Sequence, residues 1–111
     1  MKAGDDVFDR WSTQVSTDEG TTTIALIGEI DLVAAPDVRT YISGALANNP
    51  QRLVIDLSGT TFIDSTGVQA IVVANQTTRL LRVELVLIPG PPSVMRTLEL
   101  AGLVDLLTFE R

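Results

Sequence analysis

Apolar and polar residues alternate along this chain in two rhythms, one of period two and one close to 3.6, and the switches between them place the elements. From Trp11 to Thr17 the alternation is weak, with Trp11, Thr13 and Val15 on one side; from Thr22 to Gly28 the run is β-branched and apolar. Asp18-Glu19-Gly20 between them is turn chemistry, so the two segments predict an antiparallel hairpin. Val38, Tyr41, Ile42, Ala45 and Leu46 then recur at helical spacing. Pro36 and Asp37 suit the first turn of that helix, and Asn48-Asn49-Pro50 ends it. Leu53 to Leu57 is an apolar run broken only by Asp56, the pattern of a central parallel strand. A second helix is expected from about Ser65 to Leu80, and another buried strand from Val83 to Ile88. Pro89-Gly90-Pro91-Pro92 turns the chain into a third helix with Val94, Met95, Leu98 and Ala101 inward and Gly102 as its C-cap. Leu106 to Phe109 reads as a short last strand.

A hairpin followed by three strand–helix units means parallel strands joined by right-handed crossovers. The fold class is therefore α/β, with a mainly parallel sheet entered through the N-terminal β-hairpin. Residues 10–111 form a single domain, and residues 1–9 are expected to be a flexible lead-in.

The densest chemistry lies where Val54-Ile55-Asp56-Leu57-Ser58 gives way to Phe62-Ile63-Asp64-Ser65-Thr66-Gly67-Val68. This places Ser65 in the first turn of a helix, just beyond a buried strand, on the edge where open α/β sheets gather functional groups. Asp64, Ser65 and Thr66 are all capping residues, and capping alone explains one of them. Gly67 within the first turn costs about 1 kcal/mol against alanine, which predicts that something needs its small size. Asp31 and Asp56 end predicted strands. Each alone reads as a loop cap or a solvated charge, but in a parallel sheet both would join Glu29 and Asp64 in an acidic rim around Ser65.

On the second helix, 100° per residue puts Gly67, Val68, Ile71, Ala74 and Thr78 on the core face and Ser65, Gln69, Val72, Val73 and Gln76 on the other. An uncharged, partly apolar outer face in so acidic a chain has the composition of an interface core. The plainer alternative is a wide buried stripe that takes in Val72 and Val73.

Composition removes most catalytic readings. The 111 residues carry 45% apolar residues, enough for one core, and a net charge of −6, which disfavours a nucleic-acid backbone. Cysteine and histidine are absent, and Lys2 is the only lysine. Ser65 thus has no base to activate it, and the chain offers no thiolate or imidazole metal site. No glycine-rich phosphate loop is present, and Asp64 stands where a phosphate would sit. The acidic rim could give a nucleotide-bound magnesium only minor help, since that ion takes few carboxylates. The expectation is a non-enzyme without cofactor or metal, in which Ser65 is acted upon. Apolar runs too short for a bilayer and a polar start, Met1-Lys2-Ala3-Gly4-Asp5-Asp6, point to no membrane and a cytoplasmic location.

From Thr22 to Leu107 the sequence resembles the STAS domain, and within that family the bacterial anti-sigma factor antagonists. Gly28-Glu29-Ile30-Asp31, Val54-Ile55-Asp56-Leu57-Ser58, Phe62-Ile63-Asp64-Ser65-Thr66-Gly67 and Leu98-Glu99-Leu100-Ala101-Gly102-Leu103 carry the resemblance by their order and spacing. Gln69 departs from it, standing where many relatives have a second glycine. The resemblance implies a sheet wound in sequential order with helices mostly on one side. It also implies that Ser65 is phosphorylated by a partner that is both anti-sigma factor and serine kinase. The unmodified chain would bind that partner and free a sigma factor; phosphate would break the complex, and a phosphatase would restore it. Asp31, Asp64, Ser65, Thr66, Gly67, Gln69, Val72, Val73 and Gln76 are the expected partner-binding residues, on a chain that is monomeric when free. The alternatives are a STAS scaffold subunit of a signalling or transporter complex, in which Ser65 is unmodified, and a nucleotide sensor.

Overall fold

Residues 10–110 are described by the computed structural model, so the lead-in expected at residues 1–9 lies outside the described residues. The hairpin is formed by β1 (Trp11–Asp18) and β2 (Thr21–Ile30), antiparallel and in register from Asp18↔Thr21 to Trp11↔Gly28. Then follow α1 (Ala35–Ala47), β3 (Arg52–Asp56), β4 (Thr60–Ile63), α2 (Ser65–Leu81), β5 (Glu84–Ile88) and α3 (Pro92–Leu100). The sheet runs β1-β2-β3-β5, and every pairing after the hairpin is parallel.

Two departures from the sequence-based expectation matter. Thr60–Ile63, expected within a polar connection, is a fourth strand, and it returns to β2 instead of continuing the sequential winding. The reason lies in strand length. β2 is ten residues long and β3 only five, so β3 pairs with Thr21–Ala25 and leaves the far end of β2 open. The chain turns at Leu57-Ser58-Gly59, where Asp56 Oδ1 accepts the Ser58 N–H at 2.9 Å and Leu57 O accepts the Thr60 N–H at 2.9 Å. β4 then fills the vacant edge of β2 from Gly28 to Ile30. Thr60, fully buried, donates its hydroxyl to Leu26 O at 2.6 Å and ties the new strand to the old one. The second departure is at Leu106–Phe109, which supplies only an isolated bridge, Leu87↔Phe109.

Register places Ile24 and Leu26 of β2, Leu53 and Ile55 of β3 and Leu87 of β5 in one cluster with Val38 and Ile42 of α1, Val68 and Ile71 of α2 and Val94 and Leu98 of α3. Each such side chain contributes about 1.5–3 kcal/mol by leaving water. The helices therefore pack on one side of the sheet. Ala101 is exposed because α3 ends at Leu100; Gly102, one residue later, takes φ +78° and lets the Leu103 N–H close back on Leu98 O at 3.0 Å.

Candidate functional site

Asp64 is the N-cap of α2, in an extended conformation, and its Oδ1 accepts the N–H groups of Thr66 (2.9 Å) and Gly67 (3.1 Å). The Thr66 hydroxyl donates to the same oxygen in a short bond. That hydroxyl, aided by the amides of Gly67, Thr66 and Leu32, holds the Asp64 carboxyl below its ordinary pKa against a smaller opposing effect of burial. Asp64 is thus a carboxylate at neutral pH, fastened to the start of the helix.

Gly67 explains how close that start comes to the sheet. A Cβ there would lie 2.6 Å from Ile30 O and 2.7 Å from Ile63 Cγ1. The first turn of α2 rests on the paired ends of β2 and β4, where Ile30↔Ile63 are in register and the Asp64 N–H reaches Ile30 O at 3.3 Å. The small residue is needed by the fold, as its cost to the helix suggested. Gly67 is buried and offers no surface of its own to a partner.

Ser65 is exposed, and within the described residues its hydroxyl makes no hydrogen bond. The neighbouring Thr66 hydroxyl is half-buried and committed to Asp64. Of the two adjacent hydroxyls, that of Ser65 is the one that is exposed and unbonded among the described residues.

The acidic rim is smaller than the sequence suggested. Asp31 and Asp64 directly follow the paired residues Ile30 and Ile63, so they share an edge with Ser65. Asp31 is half-buried and its Oδ1 accepts the N–H groups of Val33 (3.0 Å) and Ala34 (3.3 Å), turning the chain into α1. Glu29 is held by Arg10 at 3.4 Å. Asp56 does not join them: it pairs with Ala25, about 20 Å of strand short of Asp31, because β3 stops early. Among the described residues no group of three His, Cys, Asp or Glu side chains is placed to hold a metal ion.

Along α2 the outward line Ser65, Gln69, Val73 and Gln76 is exposed, about 17 Å of helix free of charge. Val72 departs from it. It is half-buried and packs against the core cluster, so it belongs to the margin of the core. Open grooves lined by Pro92, Met95, Arg96, Glu99 and Val104, and by Asn75, Gln76, Arg79 and Leu80, do not include Ser65.

Residues 12–111 match the model of the STAS domain. The chain belongs to the STAS domain family. Its five-stranded mixed sheet and three helices superpose on an anti-sigma factor antagonist from Mycobacterium paratuberculosis with a TM-score of 0.79 at 26% identity, covering 89% of this chain and 84% of that one. The anti-sigma factor antagonist SpoIIAA in its unphosphorylated form gives a TM-score of 0.77 at 22% identity, covering 90% of this chain and 89% of that one, a likeness of fold. The anti-sigma-F factor antagonist RsfB of Mycobacterium tuberculosis is 32% identical over 68 residues, or 61% of this chain and 56% of RsfB. The STAS chain thus spans little more than half the length of the curated relative it matches. No helix among its described residues is long and apolar enough to cross a membrane.

Three residues of this STAS edge were not singled out from the sequence. Leu32 and Val33 are 70% and 79% exposed on the turn into α1, and Phe62 is 49% exposed on β4 beside Glu29. A signal existed for the first two. Leu32 and Val33 follow a turn-forming aspartate and precede Pro36, outside the helical repeat that begins at Val38.

Proposed function

We propose that this STAS domain is an anti-sigma factor antagonist, acting in the cytoplasm, whose hold on its anti-sigma factor is released by phosphorylation of Ser65. The observation that carries this is the free, exposed Ser65 hydroxyl at the first position of α2, beside a Thr66 hydroxyl already bonded to Asp64. The anti-sigma factor antagonists among its relatives support the role, and a phosphorylated form is known of the Bacillus protein SpoIIAA, a likeness of fold at 20% identity.

The kinase in this scheme is the anti-sigma factor itself. In the transfer Ser65 Oγ bonds to the terminal phosphorus of a nucleoside triphosphate held by the kinase, the bond from that phosphorus to the bridging oxygen breaks, the nucleoside diphosphate leaves, and the hydroxyl proton passes to a base of the kinase. The product carries about two further negative charges. The fold accepts them, because the phosphate stands outside the helix and the positive end of its dipole favours an anion. It finds few amides to bond, as Asp64 already occupies those of Thr66 and Gly67. The partner surface then meets an unpaired dianion next to Asp64 and opposite its own nucleotide site, and burying such a charge costs several kcal/mol. Removal of the phosphate by a phosphatase restores binding.

Incubation with the anti-sigma kinase and ATP, followed by peptide mass spectrometry, should place the phosphate on Ser65 and leave Ser65→Ala unlabelled. Calorimetry should then show tight binding by the unmodified chain and weak binding by the phosphoserine form. Phosphate on Thr66 or Ser58 would overturn Ser65 as the acceptor, and a phosphoserine form that binds as tightly as the unmodified chain would favour a non-switching STAS scaffold subunit instead.

A further inference from the structure

Single exposed leucines and valines are ordinary on a protein surface. Leu32 and Val33 differ in being adjacent, fixed in place and flanked by unpaired negative charge. Their turn is tied by the two bonds to Asp31 Oδ1 and by the Ala35 N–H on Asp31 O at 2.9 Å, with Ala34 fully buried behind it. Those bonds fix the backbone of the turn, and both side chains stand out from it, 70% and 79% exposed, so little backbone ordering is left for a binding event to impose. Ile30 and Ile63 are paired, so the segment Asp31-Leu32-Val33 leaves β2 at the same edge where Asp64-Ser65 leaves β4, which sets the pair near Ser65. Asp31 precedes the pair, Asp37 lies in the first turn of the helix that follows it and Asp64 stands on the same sheet edge; among the described residues none of the three is in an ion pair.

The geometry points to Leu32 and Val33 as the apolar anchor of the partner interface. They would seat in a pocket of the anti-sigma factor whose floor is apolar and whose rim carries arginine or lysine facing Asp31 and Asp37. The partner's identity rests on the proposed function. An apolar centre inside a charged rim is the usual anatomy of a specific interface, with the centre setting affinity and the rim setting the encounter rate. The rim also selects the occupant: a second copy of this acidic chain would bring like charges together.

The test is calorimetric titration of purified anti-sigma kinase, with ADP present in place of ATP so that Ser65 stays unmodified, into the wild-type chain and the Leu32→Gln/Val33→Thr double variant. Both substitutions lie on the exposed turn and leave its backbone bonds in place, so the melting temperature of the variant should match the wild type. Its affinity should fall by about tenfold or more. Wild-type affinity should also fall as salt rises from about 0.05 to 0.5 M, because a charged rim is screened. Equal affinity of variant and wild type overturns the anchor while the proposed function stands. A clear drop in melting temperature also overturns it, by making the pair part of the fold, and salt-independent binding overturns the basic rim. A wild-type chain that does not bind at all overturns the proposed function and the anchor together.

Discussion

At the scale of single residues, the two glycines inside helices make opposite predictions. A methyl group at Gly67 would meet Ile30 O at 2.6 Å, a backbone atom that cannot step aside. Gly67→Ala should therefore lose about 1–3 kcal/mol in urea unfolding, even though alanine is the better helix former. At Gly44, exposed on α1, a Cβ meets nothing within 4 Å, and Gly44→Ala should gain about 0.5–1 kcal/mol in the same assay. Asp64 makes a prediction in pH. Its folded pKa lies below the ordinary 3.8, so its contribution is complete above that value and is lost as pH falls through the folded pKa. Asp64→Asn keeps an acceptor but not the charge. Its stability deficit should therefore be largest near neutrality and shrink in acid, as thermal melts from pH 7 down to about pH 2 would show.

At the scale of elements, β4 and α2 are where sequence patterns were least able to predict the outcome. β4 has two exposed and two buried residues, too short a stretch to show a period, and its partner was set by how far β3 reaches along β2. Its buried anchor is the Thr60 hydroxyl, so Thr60→Val, equal in shape, should leave Leu26 O unbonded and cost about 1–3 kcal/mol by chemical denaturation. On α2 the helical period placed Val72 and Val73 together on the outer face, but the neighbouring elements divide them. Val73 is exposed and Val72 rests against the core. Val72→Ser should lose about 1 kcal/mol or more of folding stability. Val73→Ser should leave stability nearly unchanged and weaken partner binding, measured by melting and titration on the same samples.

At the scale of the whole molecule, charge is the dominant feature. A net charge of −6 on 111 residues repels itself, and the ion pairs among the described residues, at 3.4, 3.6 and 3.7 Å, are solvent-exposed in part and worth little. Moderate sodium chloride should therefore raise the melting temperature by a few degrees, because it screens more repulsion than attraction. A fall with salt would mean that the few pairs matter more than the net charge. The acidic balance also favours a partner with basic groups at the interface and disfavours self-association at the Asp31–Asp64 edge.

The sequence alone determined the α/β class, the hairpin, three helices to within a few residues, and the STAS resemblance with Ser65 at a helix start. Those follow from local periodicity and capping chemistry, which neighbouring residues settle among themselves. It also showed that Gly67 answers to a packing demand, without showing that Ile30 O makes it. Tertiary structure decided which carboxylates meet. Asp31 and Asp64 share an edge because Ile30 pairs with Ile63, while Asp56 is left behind where β3 stops. It also decided that the Thr66 hydroxyl is taken and the Ser65 hydroxyl free, and that Leu32 and Val33 face outward. Strand register and side-chain exposure depend on contacts between residues more than 30 positions apart, such as Ala25↔Asp56 and Ile30↔Ile63, and no local pattern records them.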